Sequence, residues 1–292
     1  MSKTKEIRSL LDRLESIREI MLNDEINRHF VIDAENFGRP ILRMILLTFL
    51  GYIFSAFLLN FLIGLITNFK QKNLFVKVWL PWSRETVLVH ILSNVLILIL
   101  TPLFFCSYAS FYYIEITFTL YISAYIKTLQ NNLVNKGIRN EGIYEQHKVI
   151  IQLIREFNEL LSGQMYIETV IAPLMPCGYG LMILKAAQKR EIAVVIDNFA
   201  RGVIVLTPAF ISCGCGQEII MQMETLHEAT YMSNWYQEEP KIIRDLLIMM
   251  IRTTSETTIN YRLFVRFDYN YLSAVLKLIY SYFMLMVNLD EN

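Results

Sequence analysis

The sequence predicts an all-α integral membrane helical bundle with five spans, and three observations predict it. The 292 residues are 54% hydrophobic, with a mean hydropathy of +0.38. A soluble domain is roughly 45–50% apolar. The excess is gathered into a few long runs separated by charged blocks, as membrane spans are. Lysine and arginine also alternate between the intervening segments. Residues 1–40, 127–148 and 216–266 hold 16 of them, against 7 in residues 68–86, 185–190 and the tail after Leu289. Positively charged loops stay in the cytoplasm. The sequence therefore predicts a cytoplasmic N-terminus and an extracellular C-terminus.

Residues 1–40 read as a cytoplasmic amphipathic helix and loop. Ile7, Leu10, Leu11, Leu14, Ile17 and Met21 recur at helical spacing over residues 4–28. The acids and bases mixed between them favour a helix packed on other helices over one lying on a membrane surface.

Residues 41–218 read as four spans with cytoplasmic extensions. The first, 41–67, holds 23 uncharged residues from Met44 to Ile66, where about 20 suffice to cross a bilayer. Arg43 opens it, placed so that its long side chain reaches the headgroups. The second, 87–126, has Glu115 as its only charge. As a helix it would be ~60 Å long, about twice the hydrocarbon thickness, so one end must leave the bilayer. Pro102 is expected to kink it. The third, 144–184, contains Glu168 and the cluster Pro173, Pro176, Gly178 and Gly180. Its amphipathic start makes it a second helix longer than the membrane. The fourth, 192–218, carries Asp197 and Arg201. Ionisable groups in such runs turn toward protein or water rather than lipid.

Residues 219–256 read as a cytoplasmic loop followed by a short helix. Pro240 suits a first helical turn, and Glu238 and Glu239 suit the positive helix start. The apolar residues Ile242, Ile243, Leu246, Leu247, Met249, Met250 and Ile251 predict burial in protein, and the helix is too short to span. The final span, 267–289, is apolar from Tyr269 to Leu289 apart from Lys277.

Several function classes are excluded or disfavoured. A net charge of zero offers no footprint for nucleic acid. The four cysteines, Cys106, Cys177, Cys213 and Cys215, sit in or beside apolar runs, against a secreted disulfide framework. The charged N-terminus has no apolar core of a signal peptide. Glu115, His147, Glu168 and His227 show no metal-ligand spacing, and Cys213-x-Cys215 lacks a second cysteine pair, so neither a membrane enzyme nor a cofactor is expected.

The C-terminal third carries a resemblance. Cys215-Gly216, Glu218, Tyr231, Trp235-Tyr236, Pro240-Lys241, Met250, Arg252 and Tyr280-Ser281-Tyr282-Phe283 follow in order. Together they resemble the insect odorant receptors of the ligand-tuned, divergent kind. Ser281-Tyr282, five apolar residues and Asn288-Leu289 also resemble the Thr-Tyr-x5-Gln-Phe signature of gustatory receptors. "LPWSRETVLVHIL" and His147 extend the resemblance backwards. Two departures stand out. "RTTSETT" lacks the proline usual after the arginine, and Tyr261-Arg262 stands where a small residue and glycine are common. The family has seven membrane helices, so the resemblance implies that these five spans match helices three to seven of an N-terminally shortened receptor.

The same resemblance implies a function. The chain would be a subunit of an odorant-gated, non-selective cation channel, a heterotetramer with a universal co-receptor in the plasma membrane of olfactory sensory neuron dendrites. Its partners would be a small volatile apolar odorant, the co-receptor and membrane lipid. The terminal helix would line the pore, with Leu285 as an apolar gate and Asn288 as its polar neighbour. The pocket would use Phe54, Phe57 and Phe61, then Ser93 and Asn94, then Phe199 and Val203. Trp235, Tyr236, Ile243 and Leu247 would belong to the subunit anchor. Lys277 is expected to turn sideways toward a carboxylate or a neighbouring helix, because a lysine in a cation pore repels its ions. The alternatives are a non-conducting truncated fragment and a gustatory-receptor-like channel subunit. A seven-helix G-protein-coupled receptor is disfavoured by the predicted extracellular C-terminus.

Overall fold

The computed structural model describes residues 3–66, 87–139, 141–233, 235–254, 258–262 and 264–291, and among these described residues seven α-helices and one small hairpin form. The order is α1 (Lys3–Asn23), α2 (Arg28–Ile66), α3 (Val87–Lys136), α4 (Glu141–Gln188), α5 (Ile192–Met232), a short turn of 3-10 helix (Trp235–Gln237), α6 (Pro240–Thr254), β1 (Asn260–Tyr261), β2 (Val265–Arg266) and α7 (Tyr269–Glu291). Four of these helices, α3, α4, α5 and α7, are long and apolar enough to cross a membrane among the described residues. The apolar run from Met44 to Ile66 lies in α2. Residues 80–86 of "LPWSRETVLVHIL" and residues 255–257 of "RTTSETT" lie outside the described residues.

The long helices exceed their apolar runs. The 50 residues of α3 amount to about 75 Å of helix, far more than a ~30 Å hydrocarbon core. It continues ten residues past Ile126, and α5 continues 14 past Glu218. The stretch 29–40, expected as loop, is helical instead: α2 begins at Arg28 and runs through Pro40. The N-terminal helix stops at Asn23, where the Asp24 carboxylate accepts from the Ile26 N–H and the Asn27 amide. This Asx-type turn satisfies backbone groups freed between the helices.

The chain divides into two compact units, residues 36–114 and residues 1–35 with 115–292. In the larger unit, α3 and α4 form a seam. Phe118, Ile122, Ile126 and Leu129 on α3, with Ile150, Leu153, Ile154 and Phe157 on α4, are all buried. They recur every three or four residues, which places each set on one helix face. Phe118 and Phe157 stack with ring centroids 3.9 Å apart. From α1, Leu10, Leu14, Ile17 and Met21 are buried along one stripe. The Arg18 guanidinium reaches Glu35 at 2.6 Å, which raises its affinity for its proton. Asn27, fully buried, ties the α1–α2 turn to α3 by bonding Asn131 at 2.8 Å and Asn132 at 3.2 Å.

The hairpin joins α6 to α7. Asn158 of α4 holds it at the start of β1, donating to the Thr258 carbonyl at 2.8 Å and accepting from the Asn260 N–H at 3.2 Å. Asp268 then caps α7: its carboxylate accepts the Tyr271 N–H at 2.8 Å and holds Arg266 at 2.9 Å. The four cysteines are free thiols, Cys106 exposed and the other three buried.

Candidate functional site

Two faces distinguish α7. Leu272 and Val275 are buried, Ile279 and Phe283 half-buried. These positions recur at helical spacing, on the side of α7 that meets α4 and α5. The Cys177 thiol lies 3.3 Å from the Ile279 carbonyl. At Gly180 the helices approach so closely that a Cβ would stand 2.9 Å from the Phe283 ring. The opposite face carries Lys277, Ser281, Leu285 and Asn288, all exposed. They are spaced by four, four and three residues, so they share one stripe. Leu285 is 55% exposed, high for a leucine in a packed bundle.

Lys277 is placed near the same stripe. It is exposed, and it has no ion-pair partner among the described residues. Eight residues separate it from Leu285, a little over two turns, so their side chains point about 80° apart around the helix.

The expected ligand-facing residues fall in both compact units. Phe54 and Ser93 belong to residues 36–114. Phe54 is 67% exposed. Ser93 is buried and donates its hydroxyl hydrogen to the Val89 carbonyl at 2.7 Å, so that hydrogen is already engaged within its own helix. The side chains of Phe57, Phe61 and Asn94 lie outside the described residues. In the larger unit, Phe199 and Val203 stand one helical turn apart on α5, 64% and 50% exposed.

The expected anchor residues gather around α6. Trp235 and Tyr236 pack edge to face, with centroids 6.3 Å apart. Within α6, only one face turns inward. Leu246, Met249 and Thr253 are buried, and Thr253 bonds His227 of α5 at 3.2 Å. Ile243 is half-buried, whereas Leu247, Ile248 and Ile251 are exposed. The expected burial of the whole apolar set therefore holds for one side within this chain.

Comparison with known proteins agrees with this architecture. Residues 1–280 match the family described as 7tm Odorant receptor. Odorant receptor 2a of Drosophila melanogaster is 24% identical over 164 residues, 52% of this chain and 41% of that protein. The matched stretch thus spans less than half of the relative's own length. The insect olfactory receptor OR5 from Machilis hrabei has a similar fold. Its complex with eugenol superposes with a TM-score of 0.73 at 15% identity, over 90% of this chain and 70% of that one. The structure of OR5 alone gives a TM-score of 0.69. The chain belongs to the 7tm odorant receptor family, a family of membrane-spanning receptors rather than enzymes.

Proposed function

We propose that this chain is the odorant-recognising subunit of a ligand-gated, non-selective cation channel that assembles as a heterotetramer with a co-receptor. The observation that supports this reading best is the division of α7. One face is committed to α4 and α5, and the other presents Leu285 and Asn288 on the chain's own surface. A ring of such leucines can close a pore by dewetting, and an amide beside it favours water and ions once the ring widens. The exposed side of α6, with Leu247, Ile248 and Ile251, suits contact with neighbouring subunits.

The segments rich in lysine and arginine support a cytoplasmic N-terminus, which puts the Leu285 end of α7 outside. OR5 has been solved with eugenol, and a ligand of that kind, small and largely apolar, suits the aromatic and aliphatic side chains offered by Phe199 and Val203 of α5. The membrane would be that of olfactory sensory neuron dendrites.

The test is electrical. The chain is co-expressed with a co-receptor and an odorant panel is applied under voltage clamp. An odorant-evoked cation current, absent with the co-receptor alone, is expected. Surface expression of the complex with no current to any odorant would overturn the proposal. Current that appears only when two further N-terminal helices are added would assign the chain to the non-conducting class.

A further inference from the structure

Three long helices meet at a buried polar cluster that neither the pore nor the ligand reading uses. Glu115 of α3 is 0% exposed, Glu168 of α4 is 6% exposed and Ser212 of α5 is 1% exposed. The Ser212 hydroxyl lies 3.0 Å from Glu115 Oε2 and 3.0 Å from Glu168 Oε2. We propose that Glu115, Ser212 and Glu168 form a proton-binding site that locks α3, α4 and α5 together.

Hydrogen counting carries the first step. A hydroxyl has one hydrogen, so it donates to one carboxylate only. The second 3.0 Å contact needs its hydrogen from the other carboxyl. Two ionised carboxylates would leave one bare oxygen–oxygen contact, so the cluster holds one extra proton. The second step places it. Glu115 Oε1 is buried and has no hydrogen-bond partner, and Glu115 has no ion-pair partner among the described residues. An isolated buried carboxylate is strongly disfavoured. Glu168 has better means to hold charge, since the Gln164 amide points at its second oxygen at 3.5 Å. The chain of donors is therefore Glu115 O–H to Ser212 Oγ, and Ser212 O–H to the Glu168 carboxylate.

The surroundings favour a proton over a metal ion. Two carboxylates and one hydroxyl fall short of the six to eight oxygens typical of calcium, and no nitrogen or sulfur completes a zinc set. No group of three or more His, Cys, Asp or Glu side chains is placed for a metal among the described residues. Among the described residues, titratable groups facing the pair include Cys213 and Cys215 from α5 and Tyr271 from α7, with Glu218 and Asp268 acting on those thiols.

The lock has a direct spectroscopic test in the full-length chain, purified in nanodiscs. Infrared difference spectra should show the carbonyl stretch of a protonated carboxylic acid at neutral pH, and Glu115→Gln should remove it. Absence of the band in the unaltered chain would overturn the proposal, as would its survival in Glu115→Gln. Stability gives an independent readout. A folded state that keeps a proton the unfolded chain releases loses stability as pH rises, by up to tenfold in the unfolding equilibrium per pH unit. Thermal unfolding between pH 5 and 9 should show this component in the unaltered chain and lack it in Glu115→Gln, whose amide still donates to Ser212. Equal pH slopes would refute the site. Should Glu115→Gln fail to fold, Ser212→Ala keeps both acids and breaks their connection, and it should shift the infrared band. An unshifted band would refute the bridge.

Discussion

The backbone of Gly216 runs against the carbonyl of Phe267, leaving no room for a side chain: a Cβ on Gly216 would collide with that oxygen. The contact joins α5 to the residue that leads from β2 into α7, and Thr258 reinforces it by donating to the Gly216 carbonyl at 3.1 Å. A backbone oxygen cannot rotate aside as a side chain can. Gly216→Ala should therefore destabilise the chain by at least the ~1–3 kcal/mol usual for overpacking. Gly180→Ala meets only the Phe283 ring, which can turn, so its cost should be smaller. Thermal unfolding of the two variants in the same lipid compares them directly.

Arg262 adopts a left-handed backbone conformation, with φ +46, in the turn between β1 and β2. Such a conformation costs a non-glycine residue roughly 1–2 kcal/mol. Its guanidinium recovers part of this over the Tyr261 ring, 5.8 Å from the centroid, an exposed interaction of about 0.5–1 kcal/mol. Glycine is common at this position in the receptors that the sequence resembles. Arg262→Gly should therefore stabilise the chain by up to about 1 kcal/mol. Raised thermal stability with unchanged surface expression would bear this out, and a loss would show that the arginine holds something further.

The membrane helices are legible in the sequence because charge-free runs of more than about 20 residues have few other uses. Their ends are not, because a helix leaving the bilayer changes its solvent but not its hydrogen bonding. Hence α3 runs on to Lys136 and α2 begins as early as Arg28. Pro40 closes the stretch expected as loop, yet proline can be accommodated within a helix when the freed carbonyl finds another partner. Glu115 and Glu168 are visible as rare acids in apolar runs. Their meeting at Ser212 is not, since the bonds span 97 and 44 positions. Two-residue strands such as β1 and β2 are too short to leave a periodic signature.

The sides of α6 make opposite predictions. Leu246 is fully buried, so Leu246→Asp places an unpaired carboxylate in the core and should abolish folding. Leu247 is exposed next to it. On the proposed anchor reading, Leu247→Asp should leave the chain folded but lower its co-purification with the co-receptor. Undiminished co-purification would remove Leu247 from the subunit contact.

Lys277 lies near the Leu285 stripe eight residues away, about 12 Å along the helix. In a cation pore its charge would repel the permeating ion. Lys277→Gln should raise single-channel conductance, and the gain should shrink at high ionic strength, where a charge is screened beyond a few ångströms. Equal conductance at low salt would turn Lys277 away from the ion path.

Leu285 and Asn288 should separate gating from permeation. Leu285→Ala removes most of the apolar surface that each chain would contribute to a dewetted ring. On the proposed reading the loss is of order 1–2 kcal/mol per subunit at ~25 cal/mol per Å². That amounts to about tenfold or more in the closed-to-open balance, seen as current without odorant. Asn288→Ala leaves the apolar ring intact but removes the amide that would stand beside the ion, so it should lower conductance with little change in resting current. Leu285 is exposed, so its substitution should alter thermal stability by no more than about 0.5 kcal/mol. Unchanged resting current in the first variant and unchanged conductance in the second, in complexes that reach the surface, would exclude α7 as the pore lining.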